Sequence, residues 1–365
     1  MRYIYRVLEA TNTKTRRLAY LSAIISLLRD EALTERAFLE KLTQWAKNNT
    51  SFLHGYWVDT GEITSTYKNS AGTRYIDLAR KIGLVTTIGG MYRASRDGLI
   101  LYSLLKKEKP IHNPFFLSDE EKSFFTYLLI SEDADVLLTI INQIDSNQDI
   151  SLSELQNSFY KDFLDRLERK SNLIEEDIDK RQILERRNII AHQWKKPERY
   201  SEHIIPPRIN WMCDLDLLDI GLFRKHKCRL SASGKHIFSC LPLNGGLIDV
   251  SEEWLEDSYW KVCATSIFNK KSILWENLDD VSRASTILDS LMEAFRNFQY
   301  SQIPRISSRQ AILYMTIFLL SEKNIVASPT ELTNWFSFPR IIQNKKYEIR
   351  LSPRENESYL LASLI

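Results

Sequence analysis

Two stretches of this chain repeat one another without a gap. YRASRDGLILYSLL (92–105) and CRLSASGKHIFSCL (228–241) share Arg93/Arg229, Ser95/Ser231, Gly98/Gly234, Ser103/Ser239 and Leu105/Leu241. The residues ahead of each also correspond loosely, KIGLVTTIGGM before the first and LDIGLFRKHK before the second. A match of this kind points to a duplicated unit, so both copies are expected in the same order of elements.

In the first copy, Leu18, Leu21, Ile24, Ile25 and Leu28 recur at three- and four-residue steps and predict a helix over 15–29. Thr34 is placed to cap a second helix, 35–47, with Phe38, Leu39, Leu42 and Trp45 inward. A polar stretch from Asn48 to Ser70 reads as loop or ragged helix. A third helix over 73–82 is ended by Gly83. Two β-prone runs, Leu84–Ile88 and Met91–Ala94, flank Gly89-Gly90 and predict a hairpin. A helix then runs from Ser95 to about Lys107.

The second copy is expected to open with a helix at 119–130 behind a Ser118/Glu121 capping box. Ser151 and Glu154 form another box, opening a helix to about Leu167. Residues 169–198 read as a charged helical insertion. A helix near Ser201–Leu218 then leads to a second hairpin over 220–232. Residues 106–117 and 242–252 read as linkers. In the last third, helices are expected at 253–269, 279–299 and 308–321, with a further start at Ser328-Pro329-Thr330-Glu331. A strand at Tyr347–Leu351 followed by a helix would make a degenerate third copy. The expected division is 1–110, 111–245 with its insertion, and 246–365.

Gly (11) and Pro (10) are both scarce, which excludes collagen-like and linker-rich chains and disfavours glycine-rich nucleotide folds. Lys+Arg 49 against Asp+Glu 47 leaves +2, so any electrostatic case rests on local clusters. The four cysteines, Cys213, Cys228, Cys240 and Cys263, form no CxxC pair, and reduced thiols fit best. The N-terminus has no signal-peptide core, and the longest apolar run, about 311–320, is half a membrane span. The chain reads as soluble and cytoplasmic. No Walker, Rossmann, zincin or nucleophile-elbow motif is present, and no cofactor is expected.

The element order, with the leucine, glycine-leucine, hairpin, serine, two residues, glycine endings at Gly83–Gly98 and Ile220–Gly234, resembles tandem winged helix-turn-helix domains. Through PPRINWMCDLDLLDI the second copy also resembles modules of bacterial restriction and phage-defence islands. The resemblance covers about 1–245. It implies a mainly α (α+β) fold with short β-hairpin wings and extra helices. It further implies a non-enzymatic subunit or regulator that binds double-stranded DNA, the third helix in the major groove and the wing over the backbone.

Arg224, Lys225, His226, Lys227 and Arg229 give the second wing a local cation cluster suited to phosphates. The helix before it offers Arg199, Tyr200, His203, Arg208 and Asn210. The first copy offers Arg74, Tyr75, Arg80 and Lys81, although its wing, TTIGGM, is uncharged and suits protein contact.

Three other constellations carry less. Arg187-Asn188-Ile189-Ile190-Ala191-His192 matches the Arg-Asn-x-x-x-His signature of HEPN ribonucleases, against an ordinary amphipathic helix end; Trp194, Lys195 and Lys196 after it suit a phosphate-contacting loop equally well. Asp214 and Asp216 alternate with leucines, which reads as a solvated helix side and not as a metal site. The Trp and Tyr residues read as core or interface anchors. Trp254, Trp260, Trp335, Phe336 and Phe338 mark the C-terminal third as the surface for a protein partner or a second copy.

Overall fold

Serine and threonine caps and a few left-handed residues set several helix limits in the computed structural model. It describes residues 5–8, 11, 13–29, 31–53, 61–64, 70–105, 113–147, 149–299, 302, 304–352 and 357–364. Parts of the expected polar loop (54–60, 65–69) and of the first expected linker (106–112) lie outside the described residues. The chain is mainly helical, 63% helix and 14% strand, with small sheets. It forms two compact units. One comprises Met1–Ser95, Glu108–Ser118 and Phe125–Glu252; the other comprises Arg96–Lys107, Asp119–Phe124 and Glu253–Ile365. Most of the two modules expected over 1–110 and 111–245 therefore share one unit.

The first copy runs α1 (Ala19–Leu27), α2 (Glu35–Asn49), α3 (Ala71–Lys81), β1 (Val85–Ile88) and β2 (Met91–Ala94); α4 (Arg96–Leu105) follows and belongs to the second unit. Thr34 and Ser70 cap α2 and α3 by accepting from the Ala37 and Thr73 amides. Gly89 and Gly90 take φ +57° and +76°, which turns β1 into β2 in the register Val85↔Ala94 to Ile88↔Met91. Leu33 pairs antiparallel with Tyr92, so β2 lies between Leu33 and β1.

The second copy runs α5 (Asp119–Ser146), β3 (Ile150–Ser151), α6 (Leu152–Leu173), α7 (Asp177–Gln193), α8 (Pro197–Asp214), α9 (Ile220–Phe223), β4 (Lys227–Cys228) and α10 (Ala232–Ser239). Its backbone repeats the first at the helix end and at the serine turn. Gly83 (φ +80°) ends α3, with Gly83 N–H donating to Arg80 O (3.2 Å) and Leu84 N–H to Ala79 O (2.9 Å). Asp216 (φ +58°) ends α8, with Asp216 N–H donating to Cys213 O (3.1 Å) and Leu217 N–H to Met212 O (2.8 Å). Ser95 N–H donates to Leu84 O, and Ser231 N–H to Leu217 O. The two serine hydroxyls donate to Gly83 O and Asp216 O, both at 2.5 Å. The pair Ile150↔Cys228 takes the place of Leu33↔Tyr92.

That correspondence corrects the second hairpin. The counterpart of Gly83-Leu84 is Asp216-Leu217, and not Gly221-Leu222. The two limbs pair at Leu218↔Leu230, and between them the chain makes the helical turn α9 and a reversal at His226 (φ +59°). No two-stranded prong fills 220–232. Asp219 favours the helical tip because its side chain caps α9 by accepting from Leu222 N–H. The expected insertion is the end of α6 together with α7. The expected linker 242–252 instead holds a hairpin, β5 (Leu243–Asn244) and β6 (Leu247–Ile248), turned at Gly245 and Gly246.

In the second unit, α11 (Glu252–Glu256, whose first residue counts with the first unit), a wide helical turn at Tyr259–Ala264 and α12 (Thr265–Phe268) precede β7 (Ile273–Leu274). There follow α13 (Asp280–Phe298), β8 (Arg305–Ser307), α14 (Ser308–Lys323), β9 (Ile325–Val326) and α15 (Pro329–Phe336). The sheet β10 (Arg340–Ile342), β11 (Lys345–Ser352) and β12 (Glu357–Leu364) completes the unit. Ser328 and Glu331 form the expected capping box. The helix expected after the 347–351 strand is strand β12. It lies between β11 and β8 in the order β10-β11-β12-β8, where partners on both sides use its backbone groups and override the helix preference of Leu and Ala. Thus a short extended segment ahead of a helical run pairs with the last strand beyond it for a third time, although the second copy holds α6 to α9 in that run where the other two hold two helices.

Gly234 shows how tightly the second copy is built, because a Cβ there would overlap the carbonyl oxygen of Leu217. Gly234→Ala is expected to cost about 1–3 kcal/mol by forced backbone displacement, read as a drop in Tm.

Candidate nucleic-acid interface

The helix α8 is expected from its sequence to test a DNA groove with Arg199, His203, Arg208 and Asn210, but its two ends behave differently. Arg208 and Asn210 are buried. Arg208 donates Nε to Asp133 Oδ2 (2.6 Å) and Nη2 to Asp133 Oδ1 (2.8 Å), with further bonds to Thr11 Oγ1 and the Leu8 carbonyl. The Asn210 side chain accepts from Arg17 and donates to the Pro206 carbonyl (2.8 Å). Neither side chain can reach a base. Their residue types are right for recognition, but the face they occupy packs on the N-terminal segment. Asp214 also departs from its expected solvated position. It is buried in an ion pair with Arg17 and accepts from Leu18 N–H (2.8 Å). Burial outweighs the arginine and pushes its carboxyl up to about 6. Asp216, two residues on, is exposed as expected.

The first turns of α8 are open. Arg199, Tyr200 and His203 are exposed there, next to exposed Lys195 and Lys196. Trp194, which closes α7, stacks on Tyr200 with ring centroids 4.8 Å apart and 10° between planes. Tyr160 of α6 stacks behind Trp194 at 5.9 Å and donates its hydroxyl to Ala191 O (3.2 Å). The sequence places Tyr200 among the residues of α8 that reach bases or phosphates and Trp194 in a phosphate-contacting loop, but nothing local signals a stack. Tyr160 is distant in sequence, so only the return of α7 along α6 assembles the three rings.

The tip between Leu218 and Leu230 carries Arg224, Lys225, His226 and Lys227, all exposed. Arg229 is exposed too, but both its Nε and Nη2 donate to Asp149 (2.6 and 2.5 Å), and that pair lowers the Asp149 carboxyl below its usual range. Arg229 therefore ties the tip to the α5–β3 turn. In the first copy, Arg74 is half-buried 3.9 Å from Asp77, Arg80 lies over the Tyr92 ring at 6.0 Å, and Lys81 is exposed. Tyr75 is buried, and its hydroxyl accepts from the Arg16 and Arg17 amides.

Arg187 and His192 sit on α7, five residues and so about 140° apart around the helix. Arg187 donates to Glu168 (2.7 Å), and His192 is exposed. The helix thus turns the pair toward different sides. Of the expected partner-binding aromatics, Trp260, Trp335 and Phe336 are core residues, whereas Phe338 is 69% exposed. Among the described residues no group of His, Cys, Asp or Glu is placed to hold a metal ion, and no helix is long and apolar enough to cross a membrane. Comparison with known proteins finds no matching family profile, curated sequence or solved structure.

Two outcomes follow from the buried pairs. Arg208→Ala strands Asp133 in the core and is expected to cost about 3–5 kcal/mol, measured by denaturant unfolding. Asp214 binds its proton more tightly folded than unfolded, so its contribution is greatest at low pH. Relative to Asp214→Asn, the parent should lose up to about 3 kcal/mol as pH rises through about 4 to about 6, read from paired melting curves.

Proposed function

We propose that this chain is a non-enzymatic double-stranded DNA-binding protein built from winged-helix modules. It serves as a subunit or regulator of a bacterial restriction- or defence-type system, the setting the sequence resemblance implies. The observation that carries the reading is a recurring pairing: a short extended segment ahead of a helical run pairs with the last strand beyond it, once at Leu33↔Tyr92 across α2 and α3, again at Ile150↔Cys228 across α6 to α9, and again between β8 and β12. This is the arrangement a winged helix-turn-helix needs, and its second instance projects Arg224, Lys225, His226 and Lys227 into solvent.

In this reading the second tip clamps phosphates, with Arg80 and Lys81 of α3 as a second backbone contact. Arg208 and Asn210 no longer take part, so α8 contributes through Arg199 and His203 at its open end. Affinity then comes mainly from phosphate neutralisation, with modest base selectivity. The C-terminal third serves a protein partner or a second copy through exposed Phe338 and Ile341.

The test is a gel shift on duplex DNA at rising salt. Replacing Arg224, Lys225 and Lys227 by alanine should weaken binding and reduce the salt slope by about 0.9 for each phosphate that is no longer neutralised. Arg229→Ala should act mainly on stability, since Arg229 is engaged with Asp149. Binding by the triple variant equal to the parent's would remove the tip from the interface. Absence of any shift by the parent, together with a stable co-purifying protein, would make the modules a protein scaffold.

A further inference from the structure

The turn between α7 and α8 separates two concavities that share a wall. The first, about 480 Å³, is largely apolar; Tyr5, Phe163, Ile190, Trp194 and Ile204 are among its lining. The second, about 380 Å³, is open and lined by Lys195, Lys196, Arg199, Tyr200 and His203. Tyr200 and His203 line both. One face of Tyr200 lies on Trp194, yet the residue remains 43% exposed, so the stack ends on an accessible ring.

We propose that this pair of concavities binds an unpaired nucleotide: the base stacks on Tyr200 against the apolar side, and its phosphate lies among Lys195, Lys196 and Arg199. The ligand must join a planar π-face to an anion, because the site sets an aromatic ring beside three cations. Stacking of this type accepts any base, since every base has a π-face. Three cations spread over an open trough suit the successive phosphates of a strand better than a single carboxylate. The site shares Arg199 and His203 with the end of α8 assigned to the duplex but not the tip at 224–227, so Tyr200, Lys195 and Lys196 are the residues that tell the two readings apart. A free nucleotide and an unpaired residue of a strand share the same chemistry, and the assay tells them apart.

The full chain is titrated into a labelled oligothymidylate and into a labelled duplex, each followed by fluorescence anisotropy. Thymidine 5′-monophosphate is titrated separately by calorimetry. The parent binds the oligothymidylate, and Tyr200→Ala weakens that binding roughly ten- to a hundredfold, while Tyr200→Phe restores it and duplex affinity holds in both. Exchange of Lys195, Lys196 and Arg199 for alanine weakens it too and lowers its salt slope by about 0.7 per phosphate. These three side chains are exposed, so this variant reports on the site even if the tyrosine variant fails to fold. Comparable affinity for the monophosphate identifies a free nucleotide as the ligand; binding of the strand alone identifies an unpaired strand. The proposal is overturned if the parent binds neither probe, if both variants bind like the parent, or if a phosphotyrosine peptide binds more tightly than either nucleotide probe. Loss of duplex binding by the 224–227 variant, with oligothymidylate binding intact, would leave this site standing.

Discussion

Two aspartates, one at a break in α5 and one two residues past it, hold the first unit together. Asp133 has non-helical backbone angles (φ −136°, ψ 19°) inside the helix, and it and Asp135 are buried. Asp133 takes the fork of Arg208 from α8 and the amide of Leu8. Asp135 takes Arg166 and Lys170 from α6 and the amide of Arg6. Burial opposes the charge on Asp135, but Lys170 and Arg166 overcome it and hold the carboxyl below its ordinary range. Arg166 and Lys170 also reach Asp249 beyond the β5–β6 hairpin. Removing one member of such a group leaves a charge stranded in the core, so the pairings select one arrangement of α5, α6, α8 and the N-terminal segment. At the break the Asp135 amide donates to Arg6 O (3.1 Å) and not within the helix, which ties the N-terminal segment to α5.

This constraint bears on where any nucleic acid can bind. The basic residues of α8 divide into an inner set, spent on fixing the helix, and an outer set at its first turns. The fold thereby moves the accessible positive charge to the α7–α8 turn and to the tip at 224–227. The two patches differ in chemistry. The tip offers cations without rings, which suits a duplex backbone read by charge. The turn offers cations around a stacked tyrosine, which suits an unpaired base. A chain with a net charge of only +2 can still present both, because its cations cluster locally, as in the run Arg224–Lys227, which holds no acidic residue.

Much of the chain is legible where local chemistry decides. Thr34, Ser151 and Ser328 cap helices as their types and neighbours require. Gly83 ends α3, and Gly89-Gly90 turns the first hairpin, because positive φ is cheap only without a Cβ. The second copy hides the same geometry behind Asp216, an aspartate in the left-handed region, so the glycine-leucine visible in its sequence lies five residues past the true counterpart. Strand β12 is not legible because Ser-Tyr-Leu-Leu-Ala-Ser-Leu carries no β-branched residue, and its conformation comes from the strands on either side.

What the residues alone determined is the capped helices, the repeated segment and the presence of cation-rich segments, since these depend on neighbours a few positions apart. Which cations face water was settled only by tertiary structure. Arg208 and Arg199 lie on one helix and look equivalent in sequence, yet one pairs with an aspartate seventy-five residues away and the other stands in solvent. The physical reason is the cost of desolvation: a buried arginine is tolerated only where a distant carboxylate meets it, and no local pattern announces that meeting.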